Sequence, residues 1–145
     1  MSGVVLRISG SKVAVKRFLS QSRWRPAAIF WKGKPRLPGS THLSAANGFN
    51  LSVSDAPGDR LELAIADTKR FLKREAVELR RLYRLKLGAV LDFGVHASGD
   101  SVVSSYVFES AFLSQLVKAH VALEVSHYEG RAETPNKSLE RTRER

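Results

Sequence analysis

A chain of 145 residues, 43% apolar and 26% charged, is long enough to bury one core and too short for two. It contains no cysteine, which excludes disulfides, thiolate metal sites and cysteine nucleophiles, and no apolar run of bilayer-spanning length. The formal net charge of +10 is unevenly placed: residues 1–54 hold nine Lys or Arg and no carboxylate, whereas residues 55–130 hold ten basic and eleven acidic groups.

Arg7 interrupts the apolar start Gly3-Val4-Val5-Leu6, so the N-terminus lacks the apolar region of a secretory signal. Together with the missing cysteine this gives the expectation of a cytoplasmic protein. Val4 to Ser9 predicts a strand. Ser11 is a good N-cap for a helix carrying Ala14, Val15, Phe18 and Leu19 at helical spacing. Arg25-Pro26 breaks that pattern, and Ala27 to Lys32 predicts a second strand. Lys34 to Ser40 is a loop by its proline and glycine content, extending toward Gly48. Phe49, Leu51 and Val53 alternate with polar residues, the clearest half-buried strand in the chain.

Asp59 and Glu62 have the spacing of a capping box at the start of the longest helical pattern. Its stripe is Leu61, Ile65, Thr68, Leu72, Ala76, Leu79 and Tyr83, with a break predicted near Lys73–Glu75 because the run is long for a globular helix. Gly88 is its predicted stop. Leu91, Phe93 and Val95 mark another strand, Ser98 to Asp100 a turn, and Ser101 to Tyr106 a further strand or an extended connection. Phe112, Leu113, Leu116 and Val117 mark a last helix ending near His120, and Val121, Leu123 and Val125 a last strand. This order predicts a single α+β domain over residues 1–130, with a mostly antiparallel or mixed sheet of about five strands and helices on one face. Residues 131–145, with Leu139 as their single large apolar residue, are expected to form a disordered basic tail.

Catalytic signatures are absent from the sequence: no nucleophile elbow, no His-Glu-x-x-His, no phosphate-binding lysine loop. Ser9-Gly10-Ser11-Lys12 places free amides and a cation at a helix start, where a phosphate could sit, but the same residues make an ordinary cap. His42, His96, His120 and His127 show no metal-ligand spacing, and neither metal nor cofactor is expected. Asp92 and His96 lie four apart on a predicted strand, hence on one face, and form the candidate functional pair. Arg23-Trp24-Arg25 and Phe30-Trp31-Lys32 interleave aromatics with cations, as single-strand binders do. Of the two indoles Trp24, in a predicted loop, is the expected stacking platform, and Trp31 is expected in the core. The candidate nucleic-acid-binding set is therefore Lys12, Lys16, Arg17, Arg23, Trp24, Arg25, Lys32 and Lys34. The cations at residues 69–84 are interrupted by Glu75 and Glu78, as on an ordinary solvated helix face.

Two resemblances add to this reading. Gly48 to Asp55, Ile65-Ala66-Asp67 through Phe71-Leu72, Val90 to Val95 and the segment from Val107 to Tyr128 resemble the bacterial family catalogued as domain of unknown function 4279. Ser110-Ala111 stands where that family often has proline. The resemblance implies a small α+β fold and supplies no catalytic residue. Pro135 to Thr142 is similar to the C-termini of proteins encoded in integron gene cassettes, where the reading frame runs into a recombination site. Three functions fit these features. The first is a non-enzymatic binding or interaction protein, accessory or immunity-like, with a protein partner. The second is a nucleic-acid or other polyanion binder using the basic N-terminal third. The third is an enzyme built around Asp92 and His96. No membrane partner is expected, and a homodimer through an exposed sheet edge is compatible with all three.

Overall fold

The computed structural model describes residues 3–96 and 103–128. In chain order the elements are β1 (Gly3–Gly10), α1 (Lys12–Gln21), β2 (Ala28–Phe30), β3 (Asn47–Ser54), α2 (Leu61–Arg74), α3 (Ala76–Arg84), β4 (Gly88–His96), α4 (Ser110–Lys118) and β5 (Ala122–Tyr128). The strands form one sheet in the order β2-β3-β1-β4-β5. Each neighbouring pair is antiparallel except β4 and β5, which α4 joins in parallel. This is the expected α+β architecture with a mixed five-stranded sheet. The predicted turn at Ser98–Asp100 and the tail 131–145 lie outside the described residues. Val103 to Tyr106 form no strand.

One core holds the molecule together. Val4, Leu6 and Ile8 of β1, Phe49 and Leu51 of β3, and Leu91, Phe93 and Ala89 of β4 point to the helical side. There they meet Val15 and Phe18 of α1, Phe71 and Leu72 of α2, Leu79 and Leu82 of α3, and Phe112 and Leu116 of α4. The period-two alternation along each central strand is what puts these residues on one face.

Three departures from the sequence reading have local causes. First, β3 carries a bulge: Val4 pairs with Ser54 and Val5 with Ser52, which leaves Val53 as the extra residue. Beyond it the alternation inverts. Ser54 is buried, where its hydroxyl donates to Asp67 Oδ2 at 2.6 Å and accepts from the Ala56 amide at 3.1 Å. Second, the Asp59–Glu62 capping box does not form. α2 starts at Leu61 behind Arg60, which makes no side-chain cap. Arg60 Nε instead donates to Glu62 Oε1 at 2.8 Å, and that hydrogen bond holds the Glu62 carboxyl below its ordinary range. Third, the predicted break falls at Glu75, between α2 and α3; Leu79 keeps its buried place beyond it, but the stripe then continues at i+3 instead of i+4. Leu82 points inward, while Tyr83, expected on the stripe, is 57% exposed.

The ends of α3 and α4 are built alike. Lys86 (φ 58°) and His120 (φ 57°) adopt the left-handed conformation, and the Leu87 and Val121 amides donate back to Leu82 and Leu116 carbonyls, each at 3.0 Å. This is the Schellman closure, here made without glycine. Gly88, the predicted stop, already belongs to β4. The two closures lie side by side, and the Tyr83 and His120 rings stack with centroids 3.6 Å apart. Between β1 and β3, strand backbones approach too closely for a side chain at Gly48, where a Cβ would lie 1.9 Å from the Ile8 carbonyl oxygen.

Candidate polyanion-binding face

The strand pairings Gly10–Asn47, Phe30–Gly48 and Ser9–Gly88 place the start of α1, the β2–β3 connection and the start of β4 at one end of the sheet. Ser11 caps α1 there, its Oγ accepting from the Ala14 amide at 3.2 Å. Lys12 and Lys16 follow at i and i+4, on the same side of the helix. Both reach over the ring of Trp31, with ammonium groups 5.8 and 5.7 Å from its centroid. Trp31 lies one residue beyond β2, so the core position expected for it is only half attained: the indole is partly buried, with two lysines as its cover.

The connection from Trp31 to Ala46 is a small ordered projection. The Gly33 amide donates to the Ser44 carbonyl at 2.9 Å and the Ser44 amide to the Lys34 carbonyl at 2.8 Å, with a bridge between Pro35 and Leu43. The Lys32 amide donates to Asn47 Oδ1 at 2.9 Å, which ties the base of the projection to β3. Arg36 lays its guanidinium 4.0 Å from the Phe30 ring centroid. Lys12 and Lys16 thereby cover one indole, Lys32 and Lys34 follow it in the chain at the base of the projection, and Arg36 lies over Phe30.

Their electrostatic setting is unusual for surface cations. Lys12, Lys16, Arg17, Arg23, Arg25, Lys32, Lys34 and Arg36 are all exposed. Among the described residues none of these eight lies within ion-pair distance of a carboxylate. Of the nine cations before Asp55, Arg7 is the one that does. Like charges held within about one Debye length, roughly 8 Å at physiological salt, add their potentials and favour an anionic partner.

Two members of the predicted set are placed differently. Trp24 is not a free platform. Its ring packs 5.3 Å from Phe18, 6.5 Å from Phe49 and 5.8 Å from Phe71, and its Nε1 donates to Glu75 Oε2 at 3.1 Å. An indole with an apolar body and one donor is satisfied by that combination of core contact and partly exposed acceptor. Arg23 and Arg25 remain exposed on either side of it, on the connection before β2 rather than beside Trp31. Arg36 was absent from the predicted set, although Lys34-Pro35-Arg36 put it next to a member. The Ser9–Lys12 turn is a cap with closely packed backbone: a Cβ on Gly10 would lie 2.5 Å from Leu87 Cδ2.

Asp92 and His96 share a face of β4, as their spacing requires, but they do not bond to each other. Asp92, 5% exposed, accepts from Arg7 Nη2 at 2.5 Å and from Ser126 Oγ at 2.7 Å, which links β1, β4 and β5 across the sheet. His96 donates its amide to the Gly58 carbonyl at 3.1 Å, and its ring lies 5.6 Å from Tyr128. Both Asp92 oxygens are thus engaged, one by Arg7 and the other by Ser126. His127 faces Tyr106, and His42 is exposed in the projection. Among the described residues no three His, Asp or Glu side chains converge, and no helix is long and apolar enough to cross a membrane.

In comparisons with known proteins, no family model matches the chain, and no curated protein or solved structure matches it.

Proposed function

We propose that the protein is a non-enzymatic binding protein that takes a polyanion, single-stranded nucleic acid foremost, on the face formed by α1 and the β2–β3 projection. One observation carries the reading: eight exposed cations lie between Lys12 and Arg36, six of them on α1 and the projection, and among the described residues no carboxylate pairs with them. A solvated surface of ordinary composition intersperses the two signs. Here the lysines around Trp31 would neutralise successive phosphates, and the projection would extend the contact along the strand. The engaged Asp92 argues against the enzymatic alternative.

The test is fluorescence anisotropy of labelled single-stranded DNA and RNA at low and physiological salt. If six cations engage phosphates, the logarithm of affinity falls against the logarithm of salt concentration with a slope of about −4. Absence of binding at low salt would overturn the polyanion reading and leave a protein partner as the reading to pursue.

A further inference from the structure

A second cationic site lies among α2, α3 and α4 and shares no residue with the first. The chain changes direction at Glu75, and α2, α3 and α4 do not close over one another there. They leave a cleft of about 410 Å³ lined by Leu72, Ala76, Leu79 and Ala119, with Gln115 and the cations Lys73, Arg80 and Lys118. That volume falls within the range of about 300–1,000 Å³ typical of small-ligand sites.

Three features define what the cleft would accept. Its walls are apolar. Its lining contains three cations and no carboxylate, and among the described residues none of the three is ion-paired. Of the carboxylates nearest in sequence, Glu75 is engaged by Trp24 and Arg74, and Glu78 binds Arg81 through Oε1 while its shielded Oε2 has no hydrogen-bond partner among the described residues. Lastly, Gln115 Oε1 is shielded from solvent without a hydrogen-bond partner among the described residues. A shielded acceptor left unmatched costs free energy, which a donor on a ligand would recover once the Gln115 side chain turns Oε1 toward the cleft it lines.

We infer that this cleft binds a small amphiphilic anion that carries an N–H or O–H donor between its charged group and its apolar body. The anionic group sits among Lys73, Arg80 and Lys118, the donor meets Gln115 Oε1, and the apolar body lies on Leu72, Ala76 and Leu79. A free acyl amino acid has this order of groups.

Isothermal titration calorimetry with N-octanoylglycine on the full chain tests the inference. Saturable one-to-one binding is expected. The neutral N-octanoylglycinamide should bind at least about tenfold more weakly, as should N-octanoylglycine to the Lys73→Ala, Arg80→Ala, Lys118→Ala variant. That variant replaces exposed residues and should keep its unfolding temperature. Ala76→Trp, which fills the cleft from its wall, should abolish binding, and Gln115→Leu should erase the preference for the amide over the matching ester. No saturable binding, equal affinity for charged and neutral ligands, or unchanged binding in the triple variant would overturn it.

Discussion

The N-terminal third and the α2–α3 segment are both rich in arginine and lysine, yet among the described residues four of the eight cations at 60–84 are ion-paired and, of the nine before Asp55, Arg7 alone. Along α2 and α3, Arg60, Arg70, Arg74 and Arg81 each pair with a carboxylate one to three residues away: Glu62, Asp67, Glu75 and Glu78. Along α1 and the β2–β3 projection no such pair occurs among the described residues: the sequence offers no acid before Asp55 for a local pair, and no distant carboxylate comes within reach. The difference teaches that a count of cations says little by itself. What projects a field is a group of cations with no counter-charge within reach, and local sequence decides that on a helix, where pairs form at i+3 and i+4.

Stability and binding should separate along this division. The largest effect should come from the aromatic cluster that seats the acid-free third on the sheet. Phe49→Ala removes a fully buried ring stacked on Phe18 and is expected to cost about 3–5 kcal/mol, read by urea unfolding. A loss under about 1 kcal/mol would mean that this third is not anchored as described. Next comes Arg7, the paired cation of the third. Asp92→Asn weakens a buried acceptor shared by Arg7 and Ser126, and because Arg7 is half exposed the expected cost is about 1–2 kcal/mol, without effect on polyanion affinity. Trp24→Phe keeps the ring packing and deletes the bond to Glu75. It should cost about 1 kcal/mol and leave nucleic-acid binding unchanged, since the account assigns the surface role to the Trp31 side. Reduced affinity in this variant with intact folding would return Trp24 to the binding face.

Much of the fold was legible because strands and helices announce their faces by period. Phe49–Leu51, Leu91–Phe93–Val95 and the Ser11 cap are local signals, and the break near Glu75 followed from helix length alone. The bulge at Val53 was not legible, since it arises from the register with β1. The exchange of roles between the indoles was hidden for a related reason. Trp24 sits in a loop by local pattern, but Phe71 and Glu75, about fifty residues on, complete its surroundings. For Asp92 and His96 the spacing correctly gave a shared face, while the partners that occupy Asp92 come from β1 and β5. The cationic set was largely visible as residue types. The meeting of Lys12 and Lys16 with Trp31 required the strand ends to be brought together.

The most direct test of the central claim compares two charge-matched variants in the same salt titration against labelled single-stranded DNA. One carries Lys12→Ala, Lys16→Ala, Lys32→Ala and Lys34→Ala; the other carries Arg60→Ala, Arg70→Ala, Arg74→Ala and Arg81→Ala. Each removes four positive charges. The account predicts that the first loses most of its affinity and most of its salt dependence, its slope falling to about −1, while the second binds nearly as the parent does. Equal losses in the two would contradict it, because binding would then follow net charge and not the carboxylate-free face.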